Sequence, residues 1–124
     1  MVQATLVSLD LMDGQRVVDA MEESEVKLSV ALLMISSDED NWTLVLASPD
    51  LDHGTMLDAY TTVVRIARPK FHHMLPNIRI LSMKDPAIRD LRKKYAKIKD
   101  IAGTRVRGQY GKLYIDEGYV YLLR

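Results

Sequence analysis

The sequence predicts an α+β domain with an antiparallel or mixed sheet and helices packed mainly on one face. Three segments repeat their apolar residues at helical spacing, and several shorter segments rich in β-branched and aromatic residues are typical of strands. Polar or glycine-containing turns separate these segments. We therefore predict the order α-β-β-α-β-α-β-β within a single domain spanning residues 1–124.

The first half of the chain predicts a helix, a β-hairpin and a second helix. The first helix covers residues 13–24, where apolar side chains recur on one face. Two strands follow at 26–35 and 42–47, joined by a polar turn. The second helix starts at Thr55 and ends before Pro69, because the residue ahead of a proline is driven out of helical geometry.

The second half begins with a short strand over residues 77–83 and then gives the clearest helix, over 85–103. Asp85 supplies an N-cap oxygen, and Pro86 suits the first helical position, where no backbone N–H is needed. Gly103 is expected to provide a left-handed C-terminal cap. The side chains predicted to face the core are Ile88, Leu91, Tyr95 and Ile98.

The C-terminal segment predicts further strands. "TRVRG" and "KLYI" have strand character, and "DEG" is expected to form a three-residue turn in which Gly118 adopts a positive φ. "YVYLL" would then return as the last strand.

Composition limits the class of protein. With 48% hydrophobic and 27% charged residues, the 124-residue chain is typical of a globular protein. The absence of cysteine excludes disulfides, thiolate metal sites and a cysteine nucleophile. The longest apolar run, residues 30–35, is far shorter than the roughly 20 residues of a membrane span, so we expect no membrane segment and a cytoplasmic protein.

The net charge of zero conceals two segments of opposite sign. Residues 1–64 hold two basic and twelve acidic side chains, whereas residues 65–112 hold fourteen basic and three acidic ones. Three interpretations are open: the segments neutralise each other inside the fold, they mediate self-association, or the basic segment binds an external anionic partner.

The predicted third helix carries the strongest candidate for binding. Basic side chains three and four residues apart share a helical face, and such a face can contact phosphates or an acidic protein. The predicted binding residues are Arg89, Arg92, Lys93 and Lys97 on the helix, with Arg105 and Arg107 extending the track.

The segment "SPDLDHG" offers a weaker candidate, where a strand gives way to a helix. Asp50, Asp52 and His53 could bind a divalent metal through oxygen and imidazole, as in a metal-dependent hydrolase. Helix capping and loop solvation explain these residues better. We therefore predict no catalytic residue, no metal and no cofactor.

Three segments, "NWTLVLASPDLD", "LSMKDPAIRDLRK" and "YIDEGYVYLLR", occur in this order. In this pattern the chain resembles a loosely defined group of small bacterial hypothetical proteins without established activity. The resemblance covers about residues 28–124, implies a bacterial or phage-related cytosolic protein, and assigns no catalytic or binding residue.

Together these features predict a non-catalytic protein–protein interaction domain, a homodimer or an accessory subunit of a bacterial assembly. Nucleic-acid binding through the basic segment 65–112 is the alternative, and a metal-dependent hydrolase is the third hypothesis.

Overall fold

The computed structural model describes residues 8–36, 41–72, 74–95, 97–98 and 100–124. Within these residues, three α-helices and five strands follow one another, with 3₁₀-helices at Pro49–Leu51 and Arg68–Lys70. The helices are α1 (Ser8–Glu23), α2 (Met56–Ala67) and α3 (Pro86–Tyr95). The strands are β1 (Val30–Ile35), β2 (Thr43–Ala47), β3 (Asn77–Ile80), β4 (Arg105–Tyr110) and β5 (Leu113–Leu123).

The five strands form one mixed sheet in the order β3-β2-β1-β5-β4. β2 and β3 run parallel, and the other neighbouring pairs are antiparallel. Among the described residues, the sheet therefore ends at β3 on one side and at β4 on the other.

Helices cover both faces of this sheet because its central strand is apolar on both sides. Every residue of β1 is buried. Ala31, Leu33 and Ile35 belong to the core under α1 and α2, whereas Val30 and Met34 belong to the core under α3. Such a strand can be buried only between two layers.

The α+β class is thus confirmed, with differences in detail. Two helices lie on one face and one on the other, and the sequence did not predict the two 3₁₀-helices. α1 begins at Ser8, ahead of the predicted start at Asp13. Within the part of the chain that the structure describes, no helix is long and apolar enough to span a membrane.

The third helix is shorter than predicted, and only the far end of the predicted segment pairs with β5. α3 ends at Tyr95, and Ile98, predicted to be buried, is exposed. Gly103 donates its N–H to the Val120 carbonyl (2.7 Å), and Val120 donates to the Thr104 carbonyl (3.0 Å). Gly103 has a φ of 88°, but it leads into β4 and does not cap a helix.

The predicted "DEG" turn is wrong. Residues 116–118 lie inside β5, and the turn falls at Gly111–Lys112. Gly111 has a φ of 57° at the first turn position, as a type II′ turn requires. Gly118 is needed for space, since a Cβ there would lie 2.8 Å from Val106 Cγ2.

The N-terminal hairpin forms, with β1 antiparallel to β2, although β1 starts at Val30 and not at the predicted residue 26. Trp42, Leu44 and Leu46 all reach the core under α1 and α2, as their spacing predicts. Residues 37–40 of the predicted turn lie outside the described residues.

Candidate binding site

The N-terminus of α3 is the first element that positions the candidate site. Asp85 Oδ1 accepts a hydrogen bond from the Ala87 N–H (2.8 Å), which satisfies one of the free donors of the first turn. Ala87, Ile88 and Leu91 then pack into the core on this side of the sheet. This anchoring directs the basic side chains of the helix outward.

We define the α3 basic surface as the exposed side chains of Arg89, Arg92, Lys93 and Lys94. Only Arg89 takes part in an ion pair recorded for the described residues, with Asp90 at 3.6 Å. Both members of that pair lie on the helix itself. The surface therefore keeps an excess of positive charge in the folded chain.

The other three predicted binding residues do not extend this surface as one track. Lys97 is exposed but lies beyond the end of the helix. Val106 packs under α3, so its neighbours Arg105 and Arg107 point to the other face of the sheet. Arg105 pairs there with Glu117 (2.8 Å) and lies over the Tyr119 ring.

The acidic first half of the chain does not cover the α3 basic surface in the described residues. Its ion pairs join Asp13 to Arg16, Glu22 to Arg124 and Glu23 to Lys70. All three lie on or beside α1, across the sheet from α3. Of these pairs, only Glu23–Lys70 joins the acidic segment to the basic one, and none of them involves a side chain of α3.

A groove of about 470 Å³ lies between α3 and β4. Its lining consists of Asp90, Lys93, Lys94, Gln109 and Tyr110. Because β4 is the last strand of the sheet, one wall of this groove is a strand edge.

Tyr110, in the lining of this groove, is held by hydrogen bonds to two neighbours. The Tyr110 hydroxyl donates to the Arg107 carbonyl (2.8 Å). The Tyr95 hydroxyl oxygen lies 2.7 Å from the Tyr110 hydroxyl oxygen. Since the single Tyr110 proton goes to Arg107, Tyr95 is the donor between the two rings. Lys94 Nζ lies 5.4 and 5.5 Å from the two ring centroids, within the range of a cation–π contact.

Asp90 fixes the β4–β5 turn against the helix. Its Oδ2 accepts the Gly111 N–H at 3.0 Å, while Oδ1 lies 3.6 Å from Arg89 Nε. The carboxylate is therefore already engaged by a donor and a cation. It holds β4 beside the helix. Because the N–H and the guanidinium partly compensate its charge, it repels an acidic ligand less than a free carboxylate would.

The pKa of Tyr110 is raised, first by burial and then by the neighbouring Tyr95 hydroxyl. The neutral hydroxyl therefore stabilises the fold below the unfolded tyrosine pKa of about 10, and this contribution is lost as the pH rises above that value. We expect the free energy of unfolding to fall with pH above about 10, and to fall less steeply in Tyr110→Phe. Urea titrations across this pH range measure both slopes, and equal slopes would contradict the prediction.

Two of the candidate metal residues Asp50, Asp52 and His53 bind separate backbone groups of the fold. Asp50 Oδ2 accepts the Lys27 N–H (2.9 Å), whereas Asp52 Oδ2 accepts the Met83 N–H (2.9 Å). His53 is exposed. Among the described residues, no group of three or more His, Asp or Glu side chains could hold a metal ion.

Sequence reasoning missed Lys94, Asp90, Gln109 and Tyr110 as parts of one site. The basic run of the helix already contained Lys94 as a signal. The other three residues could be joined to it only by knowing that α3 packs along β4, which no local pattern shows.

Comparison of the chain with protein-family models, with curated proteins and with solved structures finds no match. The resemblance to small bacterial hypothetical proteins therefore stays a prediction, and the functional argument depends on the site itself.

Proposed function

We propose that this chain is a non-catalytic binding domain that recognises an acidic protein partner through the α3 basic surface. One observation carries the proposal: the positive charge of α3 stays exposed, while the described ion pairs of the acidic segment lie across the sheet. A surface of one charge sign attracts an oppositely charged partner and fixes its orientation.

An acidic protein fits this surface better than a nucleic acid. Single-stranded nucleic acids gain affinity by stacking bases on exposed aromatic rings. Here Lys94 lies over both Tyr95 and Tyr110, so those rings are already occupied. Arg105 and Arg107 also face away from α3, which removes the continuous track that a phosphate backbone would follow.

The proposal is tested with three labelled probes at low salt: two acidic peptides and a DNA duplex. One peptide alternates glutamate with valine and favours an extended form, and the other combines glutamate with alanine and favours a helix. We expect at least one peptide to bind, and the double variant Arg92→Glu/Lys93→Glu to weaken its binding about tenfold or more. Fluorescence anisotropy measures the affinity.

Arg79→Glu is the matched control, because it also reverses an exposed charge but lies on β3, at the opposite end of the sheet. We expect it to leave binding near the wild-type level. Tighter binding of duplex DNA, lost in the same α3 double variant, would replace the proposal by nucleic-acid binding. No binding of any probe would reject both the acidic-partner proposal and binding of duplex DNA.

The acidic partner can also be a second copy of this chain, since α1 exposes Asp19, Glu22 and Glu23. Sedimentation equilibrium identifies that case. Association that disappears both in the α3 double variant and at high salt would make the self-complex the acidic partner.

A further inference from the structure

The α3–β4 groove has the form of a site for strand addition. β4 is an outermost strand, and α3 packs along it and leaves the groove between them. Extended peptides bind in this way elsewhere, adding a strand to a free sheet edge beside a helix, with main-chain hydrogen bonds giving affinity.

The hairpin register shows where β4 has free backbone groups. Tyr110 pairs with Leu113 across the two-residue turn, and Gln109 pairs with Tyr114. Pairs in an antiparallel ladder alternate between hydrogen-bonded and non-hydrogen-bonded, and the pair that flanks a two-residue turn is hydrogen-bonded. The N–H and C=O of Gln109 therefore point away from β5, toward the outer edge.

We propose that an extended acidic segment of the partner binds in the α3–β4 groove as a sixth strand, paired with β4 at Gln109. This inference deepens the proposed function and rests on it. Lys93 and Lys94 border the groove and supply the complementary charge, while the Asp90 carboxylate is already held by the Gly111 N–H. Main-chain bonds give the segment its direction, and the two lysines select acidic side chains.

The irregular backbone of β4 limits the length of the segment that can pair with it. Gly108 has a φ of 119°, beside a register shift in the β4–β5 ladder, and the Arg107 carbonyl already accepts the Tyr110 hydroxyl. Irregular edges of this kind oppose continuous edge-to-edge pairing. The groove therefore suits a short acidic segment better than the full length of another sheet.

Backbone N-methylation of the extended Glu/Val peptide tests the inference. A strand presents alternate N–H groups to its neighbour, so methylation of alternate residues removes either the bonding set or the outward set. We expect one methylation phase to weaken binding about tenfold or more and the opposite phase to leave it nearly unchanged. Charge and composition are the same in both peptides.

Amide hydrogen exchange gives a second measurement on the unmodified protein. Binding of the unmethylated peptide should slow exchange at the Gln109 N–H, because that group gains a partner.

The outcomes separate the two proposals. Equal binding of both methylated peptides, or binding of the helical Glu/Ala peptide alone, would overturn strand addition and leave the acidic-partner proposal standing. Failure of both unmethylated acidic peptides to bind would overturn the proposed function itself.

Discussion

Replacing Gly14 by alanine is expected to lower the free energy of unfolding by about 2 kcal/mol. The sign is opposite to that of the same change at an open site in a helix, where alanine stabilises by about 1 kcal/mol. Gly14 lies inside α1, and a Cβ there would overlap the Tyr121 hydroxyl and come 2.7 Å from its ring Cζ. Tyr121 is buried and donates to the Leu11 carbonyl (2.8 Å), so it cannot move aside freely.

A double-mutant cycle separates this steric cause from a general effect on the helix. Tyr121→Leu removes the hydroxyl and ring atoms that a Cβ would meet, so Gly14→Ala should be neutral or stabilising in that background. Gln15→Ala, at an exposed position of the same helix, controls for helix propensity alone. Urea unfolding measures each variant. A gain in stability from Gly14→Ala in the wild type would contradict the close packing of α1 against Tyr121 of β5.

Local patterns predicted those parts of the fold in which each segment's own sequence decides its structure. The apolar residues of β1 and the Asp85–Pro86 start of α3 are of this kind. The errors arose where pairing with a strand that is distant in sequence determines the local structure. The segment after Tyr95 has helical composition, but residues 103 and 104 gain backbone bonds to Val120, which is remote in sequence.

Glycine has two separate uses in the C-terminal hairpin, and the sequence does not distinguish them. The "DEG" segment has strong turn composition, but Gly118 provides room for Val106 on the neighbouring strand. Gly111, followed by a lysine, is a weaker turn signal and yet carries the positive φ. Only the register of the β4–β5 pairing shows which glycine lies in the turn and which one makes room for Val106.

The candidate site was predictable to a similar extent. The basic helix and its outward face followed from composition and spacing, and Arg89, Arg92 and Lys93 lie on it as predicted. The predicted basic track does not extend to Arg105 and Arg107. Side chains alternate between the two faces of the sheet along β4, and Val106 lies on the face under α3. The phase of that alternation depends on how the strand joins the sheet, which composition does not determine.

Gly111→Ala is expected to reduce the free energy of unfolding by about 2–4 kcal/mol, because two costs add at this position. A positive φ costs a residue with a side chain about 1–2 kcal/mol. In addition, a Cβ on Gly111 would lie 2.6 Å from the Ala87 nitrogen and 3.0 Å from Pro86. Those atoms belong to the first turn of α3, whose backbone cannot yield without disturbing the helix.

Gly103→Ala is the matched control, since its φ of 88° is also positive and, among the described residues, the nearest atom that its Cβ would meet is the Tyr119 hydroxyl, at 3.7 Å. We expect Gly103→Ala to cost about 1–2 kcal/mol, and the excess in Gly111→Ala to measure the contact between the turn and α3. Since this contact and the Asp90–Gly111 hydrogen bond hold β4 beside the helix, Gly111→Ala should also weaken binding of the acidic peptide, whereas Gly103→Ala should not. Equal losses of stability in the two variants would mean that the turn does not pack on the start of α3, and the geometry of the α3–β4 groove would then be wrong.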